Sequence, residues 1–282
     1  MENNGLSKYT LENYAKLLKH LAKNCNLTNP QEVKHYISKI TGSNGYKKNL
    51  CIAYNKYCKY YNIEWEMPNY FPNPKQIRIP TTENLNQLIA YAGQTLSIKL
   101  QLSKETGLRP IEAMTLKTKD INLEQKTVYP TTAKHGAPRT LKISNTLTLR
   151  LQTHIIRNNL NPNNQLFKST PAHYSKTYRQ SRNALAKKLN NPTLKTVRLY
   201  DFRHHFATML YHKTRDILYV KQQMGHRKIE TTLVYTQLIQ HEQNENYTCK
   251  VATNQTQITE LIESGYEYIT EQEQLKYFRK RK

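Results

Sequence analysis

Hydrophobic residues recur at helical spacing through the first 66 residues, and no strand pattern interrupts them. Asn29, Pro30 and Glu32 supply the N-cap, first-turn proline and capping-box acid of a second helix. The first and third helices have apolar faces made of Leu11, Tyr14, Leu17, Leu18 and Leu21, and of Leu50, Tyr54, Tyr57, Cys58 and Tyr61. We therefore predict a small helical domain over residues 1–66.

A proline-rich segment follows this domain. Residues 67–80 contain Pro68, Pro72, Pro74 and Pro80, four of the eleven prolines in the chain. Each proline removes a backbone donor and disfavours helix in the residue before it. We predict that residues 67–80 are the linker between two domains.

Residues 81–245 show mostly helical spacing with one change of period. Two helices are predicted before the helix stop at Gly107. Between residues 121 and 143, short strand-like runs surround a turn at 134–138, which predicts a small antiparallel sheet. Helical spacing returns over 145–158, 174–189, 201–213, 216–224 and 229–238. The predicted fold class is mainly α with a small antiparallel β-sheet.

The last segment, residues 246–282, has a different pattern. Strands are predicted over 249–253, 266–269 and 275–279, and a helix over 257–264. The chain ends in four consecutive basic residues, Arg279, Lys280, Arg281 and Lys282. We predict a basic C-terminal α/β tail.

Charge and composition narrow the class of protein. The chain has 43 Lys and Arg residues against 20 Asp and Glu residues, a formal charge of +23 that favours a polyanionic partner and argues against a neutral metabolic enzyme. A hydrophobic content of 37% excludes a polytopic membrane protein. The four cysteines (Cys25, Cys51, Cys58 and Cys249) lack metal-binding spacing, and the first residues lack a signal-peptide pattern. We expect reduced thiols, no structural zinc and a cytoplasmic protein.

Three groups are needed to cleave a nucleic-acid strand without a metal: fixed cations on the phosphate, a nucleophile, and an acid for the leaving oxygen. Arg109 follows the Gly107 helix stop, and Glu112 lies three residues later, where it can share a helical face with Arg109. We expect Glu112 to orient Arg109. Lys134 lies in the predicted hairpin turn, from which a flexible ammonium can reach a groove.

Three further candidates lie in the second half of the chain. Arg203 is near the start of a predicted helix, whose N-terminus also favours phosphate. His226 follows Gly225, and Tyr235 lies nine residues after His226. Each residue alone has an ordinary structural explanation, because Tyr235 is one of 21 tyrosines and loop arginines and lysines are commonly solvated. Their order and spacing together favour a catalytic set.

The joint pattern resembles the tyrosine recombinase (phage integrase, Xer-like) family over residues 6–240. The run Thr106-Gly107-Leu108-Arg109 followed by Glu112 and Leu116 is similar to the family's first arginine box, and Lys134 lies where its hairpin lysine is expected. Arg203 matches the second arginine, Gly225-His226 resembles the Leu-Gly-His element, and residues 231–235 resemble the run that ends in the nucleophile. The C-terminal tail adds a similarity to archaeal integrase-like proteins.

This resemblance implies a core-binding domain over residues 1–66 and a catalytic domain over residues 81–245, which together clamp duplex DNA. It implies that Tyr235 attacks a DNA phosphate to form a 3′-phosphotyrosine, while Arg109, Arg203 and His226 stabilise the transition state. Lys134 would protonate the leaving oxygen. The resemblance further implies a homotetramer on two double-stranded DNA sites, no metal or other cofactor, and a nucleoid-associated location in the cytoplasm.

One expected catalytic position departs from the family pattern. Three residues before Arg203 the family usually has histidine, whereas this chain has Tyr200. A phenol, with an ordinary pKa of about 10, donates hydrogen bonds but is a poorer base at neutral pH than an imidazole. Three alternatives follow: Tyr200 acts by hydrogen bonding, His204 or His205 compensates from the next turn although a packing role is the commoner one for such residues, or the position contributes little.

Two other functions compete with recombination, whether that recombination serves integration, excision or dimer resolution. A type IB topoisomerase uses the same tyrosine chemistry but relaxes DNA as a monomer. A DNA-binding protein with a decayed catalytic site would bind DNA and form no covalent adduct. We expect a recombinase because the two-domain arrangement and the motif spacing both match that family.

Overall fold

Three helices form the first of the two units, Met1–Ile77 and Arg78–Lys282, into which the chain divides. The structure, a computed structural model, describes residues 5–73, 77–133, 136–236 and 247–281. The three helices are α1 (Lys8–Ala22), α2 (Pro30–Lys39) and α3 (Asn44–Tyr61), and all three were predicted from the sequence. Their N-caps are Ser7, Asn29 and Ser43, and each cap side chain accepts a backbone N–H of the first turn.

Apolar faces of these helices make the core of the first unit. The buried core residues are Leu17, Leu21, Val33, Ile37, Leu50, Cys51, Ala53, Tyr54 and Cys58. The Tyr54 hydroxyl donates to the Leu27 carbonyl at 2.8 Å, so this polar atom has a partner inside the core. Trp65 packs edge-on against the Tyr54 ring at 4.7 Å, which fixes the chain that leaves α3.

Helices also dominate the second unit. They are α4 (Thr82–Tyr91), α5 (Gln94–Thr106), α6 (Pro110–Thr115), α7 (Asn145–Arg157), α8 (Pro171–Lys188), α9 (Leu199–Thr214), α10 (Ile217–Met224) and α11 (Glu230–Leu233). Short 3-10 helices lie at Thr118–Asp120 and Pro192–Thr196. Buried residues occur all around α5, which packs against α4, α7 and α9. This central helix ends at Gly107, and its end therefore carries the first arginine motif.

Two helix predictions differ from the structure by three residues or more. Helix α8 begins three residues earlier than predicted, because the Thr170 hydroxyl caps it and Pro171 occupies its first turn. The helix predicted over 229–238 is limited to α11, which continues as turns through residue 236. Residues 237–246 lie outside the described residues.

The predicted small antiparallel sheet is confirmed. It consists of β1 (Ile121–Asn122), β2 (Thr127–Val128) and β3 (Leu141–Lys142) in the order β1-β2-β3. Val128 pairs with Ile121 on one side and with Leu141 on the other, so three buried side chains share one face. The loop between β2 and β3 contains Lys134 and His135, which lie outside the described residues.

The C-terminal segment forms its own small sheet with one helix. Strand β4 (Tyr247–Ala252) is followed by α12 (Gln255–Glu263), β5 (Glu267–Gln272) and β6 (Leu275–Arg281). The strands are antiparallel in the order β4-β6-β5. Ala252, Leu261 and Phe278 form its buried core. The predicted strand, helix, strand and strand order is confirmed.

None of the helices in the described part of the chain is long and apolar enough to cross a membrane. Over the same residues, His, Cys, Asp and Glu side chains do not gather in threes as a possible metal site.

Candidate active site

Gly107 ends α5 and sets the direction of the first arginine motif. Its φ of +61° lies in the left-handed region, and a Cβ here would clash with Cδ1 of Phe206. The chain then turns into α6, with Arg109 at the N-cap and Pro110 in the first turn. The Arg109 N–H donates to Glu112 Oε2 at 2.9 Å. The three-residue spacing of Arg109 and Glu112 therefore belongs to a helix start that holds the two side chains together.

The Glu112 carboxylate is a buried hub for two arginines. Its Oε1 accepts from Arg109 Nη1 at 2.8 Å and from the Ala133 N–H at 3.2 Å, and its Oε2 accepts from Arg139 Nη2 at 2.7 Å. Burial alone would raise the pKa of Glu112, but the hydrogen bond and charge of Arg139, together with Arg109, lower it to about 2. Glu112 is thus ionised, and the expectation that it orients Arg109 is confirmed.

Arg139 is a site residue that the sequence analysis missed. Its side chain is fully buried against Glu112, and it ties the strand entering β3 to α6. A signal was present in the sequence, because Leu141, Lys142 and Ile143 alternate between apolar and polar residues and Arg139 lies two positions before Leu141. This alternation puts Arg139 on the same face as Leu141 and Ile143, and a buried arginine requires an acidic partner.

Arg203 joins the ends of two helices from the middle of the site. It lies in α9, is 1% exposed, and donates through Nη1 to the Gly107 carbonyl at 2.5 Å. Its Nη2 donates to the Met224 carbonyl, the last residue of α10, at 2.6 Å. Burial, and secondarily the charge of Arg109, lowers the pKa of Arg203 to about 10, which still leaves it charged at neutral pH.

His226 follows Gly225, which ends α10 with a φ of +61° and lies so close to Arg139 that a Cβ would be 2.7 Å from its Nη1. Arginine can only donate, so His226 Nε2 accepts from Arg203 Nη2 at 3.0 Å. Nδ1 of the neutral ring therefore carries the proton and donates to the Thr232 hydroxyl at 2.9 Å. Burial and the Arg203 charge lower the pKa of His226 to about 4, which agrees with a neutral ring.

Tyr235 is 2% exposed and packs with Ala207, Val220 and Met224. Burial raises its pKa to about 12, although the charge of Arg203 acts in the opposite direction. Its hydroxyl lies 3.1 Å from Nδ1 of His204, at hydrogen-bonding distance. The candidate nucleophile is therefore a protonated phenol with a histidine beside it.

Tyr200 and the two histidines after Arg203 take different positions. Tyr200 is 41% exposed, and its ring meets the His204 ring edge-on at a centroid distance of 5.0 Å. His205 is buried and bonds through Nε2 to the Thr82 hydroxyl of α4 at 3.0 Å. His205 thus has the packing role, whereas Tyr200 and His204 lie beside Tyr235.

Hydrogen bonds, ring contacts and charge interactions bring together five of the six predicted site residues. Arg203 bonds to His226 and to the carbonyl of Gly107, two residues before Arg109, and the charges of Arg203 and Arg109 both act on Tyr235. Tyr200 joins this group through His204. Lys134, the sixth predicted residue, lies outside the described residues. The buried Arg203 and the partly exposed Arg109, both beside a phenol, are suited to bind a phosphate and to bring it to an oxygen nucleophile.

Comparison with known proteins gives the same assignment as the motifs. A sequence model of the phage integrase family matches residues 79–242. Tyrosine recombinase XerA of Saccharolobus solfataricus is 23% identical over 70% of this chain, a match that spans 64% of that protein's length. Tyrosine recombinase XerA of Pyrococcus horikoshii is 26% identical over 84% of this chain and 86% of its own.

A solved structure shares the fold. The structure of a lambda integrase dimer bound to a COC′ core site superposes with a TM-score of 0.65 at 15% identity, covering 86% of this chain and 93% of that one. Because the matched family segment spans more than half of the sequence, the chain belongs to the phage integrase family, the tyrosine recombinases that its motifs indicated.

Proposed function

We propose that the protein is a site-specific recombinase that cuts and rejoins duplex DNA through a 3′-phosphotyrosine intermediate. Family membership and the relatives named tyrosine recombinase XerA support this activity. The lambda integrase structure contains a core DNA site, which supports double-stranded DNA as the partner. The formal charge of +23 agrees with a polyanionic substrate.

The position of the Arg203 guanidinium carries this proposal. This one side chain donates to the Gly107 carbonyl within the first arginine motif, to the Met224 carbonyl just before Gly225-His226, and to His226 itself. Three segments far apart in the sequence thereby meet beside Tyr235. Each of these buried contacts matches desolvated polar groups, so together they fix Arg203 and His226 in place beside Tyr235.

The chemistry follows from the groups present. The Tyr235 oxygen forms a bond to phosphorus while the bond from phosphorus to the 5′ oxygen breaks. Arg109 and Arg203 neutralise the charge that develops on the phosphoryl oxygens, and His226 holds the Arg203 guanidinium. We assign Lys134 the role of protonating the leaving 5′ oxygen, and this assignment rests on its position in the motif alone. A 5′ hydroxyl of the partner duplex then attacks the phosphotyrosine, so the bond energy is conserved without a nucleotide cofactor.

The working assembly is proposed to be a homotetramer on two DNA sites in the cytoplasm. Both strands of each of the two duplexes must be cut and rejoined. Each cut uses one tyrosine, so four protomers are needed. We propose that the helical domain over residues 1–66 is the core-binding domain, that residues 67–80 are the linker and that residues 81–245 are the catalytic domain. A monomer that relaxes supercoils without pairing two sites would instead be a type IB topoisomerase.

Replacing the nucleophile tests this proposal. Tyr235→Phe removes one oxygen and leaves the surface charge unchanged, so DNA binding is expected to persist while covalent adduct formation stops. The probe is a pool of nicked duplexes of randomised sequence, because a nick near the cut site lets the leaving strand diffuse away and traps the adduct. Adducts are isolated under denaturing conditions, the DNA is sequenced, and the modified peptide is mapped.

The matched control is Tyr91→Phe, which removes the hydroxyl of a half-exposed tyrosine of α4 and is expected to form adducts like the unsubstituted protein. An adduct that survives in Tyr235→Phe would move the nucleophile to another tyrosine. Absence of any adduct with the unsubstituted protein, despite tight DNA binding, would leave a non-catalytic DNA-binding protein.

A further inference from the structure

Among the described residues, Nδ1 of His204 is the hydrogen-bonding partner of the Tyr235 hydroxyl, at 3.1 Å. The two rings are tilted at a centroid distance of 5.8 Å, so the contact joins the nucleophilic oxygen to an imidazole nitrogen along the ring edges. His204 lies on α9 directly after Arg203. Two consecutive residues of one helix are therefore a phosphate-binding arginine and the hydrogen-bonding partner of the nucleophile.

A base is needed at this oxygen. Burial raises the pKa of Tyr235 to about 12, so its phenol remains protonated at neutral pH. Attack on phosphorus by this oxygen requires that the proton leave during the step. The acceptor must lie within hydrogen-bonding distance of the phenol and must have a free lone pair before the step.

The other nearby histidines do not meet these conditions. Both ring nitrogens of His226 are engaged, one by Arg203 and one by Thr232. His205 bonds to Thr82 of α4, about 100° around the helix from His204. Tyr200, at the position where the family usually has histidine, contacts the His204 ring with its own ring.

The surroundings of His204 keep its ring neutral. Burial lowers the pKa of His204, and of the charges that face it Asp201 raises that pKa while Arg198 and Arg203 lower it. The rings of Tyr200 and Tyr235 both contact the His204 ring. A neutral imidazole with Nδ1 beside a phenol can accept the phenol proton.

We propose that His204 is the general base that takes the proton of Tyr235 during strand cleavage, a role that rests on the proposed recombinase function. In the step, the phenol O–H donates to Nδ1 of the Nε2-protonated ring, and this proton moves to Nδ1. The oxygen of Tyr235 bonds to phosphorus, the bond to the 5′ oxygen breaks, and that oxygen takes its proton from Lys134. In the joining step the attacking 5′ hydroxyl gives its proton to Lys134, and His204 returns its proton to the departing Tyr235 oxygen.

The test compares two substitutions at one position. His204→Asn leaves an acceptor oxygen near the place of Nδ1 but cannot take up a proton, whereas His204→Ala removes both. The substrate is the nicked duplex recovered from adducts of the unsubstituted protein, and the rate of adduct formation is measured in single turnover. We expect both variants to react at least about 100-fold more slowly with unchanged DNA binding, the range of a lost general base. The matched control, His205→Asn, changes the adjacent buried histidine and is expected to react at the unsubstituted rate.

A second measurement separates proton transfer from orientation. Fluorotyrosine placed at position 235 by codon suppression has a more acidic phenol and depends less on a base. It is expected to recover most of the rate in His204→Asn and to add little in His205→Asn. If His204→Asn reacts like the unsubstituted protein, or if the fluorinated phenol recovers nothing, His204 only positions Tyr235 or packs against it, and the proposal is overturned. Failure of the unsubstituted protein to form adducts would overturn the recombinase function as well, and the two failures are distinct.

Discussion

At the scale of single residues, the carboxylate of Glu112 decides how the first arginine is presented. Arg109, Arg139 and the Ala133 N–H all donate to its two oxygens. Two cations and one anion in a buried space leave a net positive charge, and this charge favours a phosphate next to Arg109. Arg109 is 13% exposed and retains access to solvent, whereas Arg139 is enclosed and fixes the carboxylate.

The first prediction concerns this carboxylate. Glu112→Gln leaves Arg139 buried without its counter-ion and is expected to lower the free energy of unfolding at pH 7 by about 3–5 kcal/mol. Glu124→Gln, an exposed control in the same unit, is expected to change it by less than about 0.5 kcal/mol. Urea unfolding measures both. Equal stability of the two variants would contradict the buried hub.

Acid dependence gives a second measure of the same group. The folded pKa of Glu112 lies below its ordinary value, so the stability it supplies is present above about pH 4.5 and is lost as the pH falls toward about 2. The loss amounts to about 3 kcal/mol, and Glu112→Gln is expected to lack it. An earlier loss, between about pH 6.5 and 4, comes from His205, whose pKa is lowered to about 4, and both proteins share it.

Tyr200 carries a separate prediction. If its hydroxyl donates to the bound phosphate, Tyr200→Phe slows adduct formation, while Tyr200→His keeps or raises the rate because an imidazole also donates. Tyr200→Phe retains the ring that meets His204, so a loss of rate in this variant belongs to the hydroxyl. Single-turnover cleavage checks both variants, and unchanged rates in both would show that this hydroxyl takes no part.

At the scale of elements, α9 uses three consecutive residues for three purposes. Arg203 points to the ends of α5 and α10, His204 to Tyr235, and His205 to α4. Successive helical side chains diverge by about 100°, so one helix presents them to three neighbours. The sequence showed the three residues, but a partner 31 or 123 positions away is fixed by tertiary packing and has no local pattern.

Much of the element order was predictable because helices and strands have their own periods. The small sheet, the three N-terminal helices and the C-terminal sheet with its helix were all found in this way. Helix α11 is shorter than predicted, and the β-branched run of Thr231, Thr232 and Val234 gives the reason, since such side chains lose rotamer freedom in a helix. Arg139 was missed because it directly follows the turn before β3, and a charged residue next to a turn is usually exposed to solvent.

The C-terminal sheet and its helix carry the prediction at this scale. Residues 247–281 have their own buried core, so a chain that stops before Tyr247 is expected to keep the fold of the catalytic unit. We expect this truncation to impair pairing of two DNA sites more than cleavage of one site, because the segment follows the nucleophile. Gel analysis of paired complexes and of covalent adducts, run together, measures both. Unchanged pairing would remove the assembly role.

At the scale of the whole molecule, the excess of 23 positive charges predicts how DNA affinity depends on salt. Each phosphate that the protein neutralises releases counter-ions, so the slope of log K against log salt is expected to be about −0.9 per contacted phosphate. Lys228→Gln, at an exposed position two residues after His226, is expected to reduce the slope by about one unit. Fluorescence anisotropy with a duplex at several salt concentrations provides the slope, and an affinity nearly independent of salt would contradict a DNA clamp.

The hub at Glu112 also constrains how the protein diverges from its relatives. A mutation at position 112 or 139 alone leaves a buried charge without its partner and lowers the stability of the fold. Only a second mutation, at the other position, restores that stability. Positions 109, 112 and 139 are therefore expected to change together or not at all along a lineage, while exposed neighbours such as Glu124 drift freely. Descendants that had lost strand cleavage but kept their stability would still have the residues at 109, 112 and 139. A change at Tyr235, and not at these three positions, would therefore show that the activity was lost.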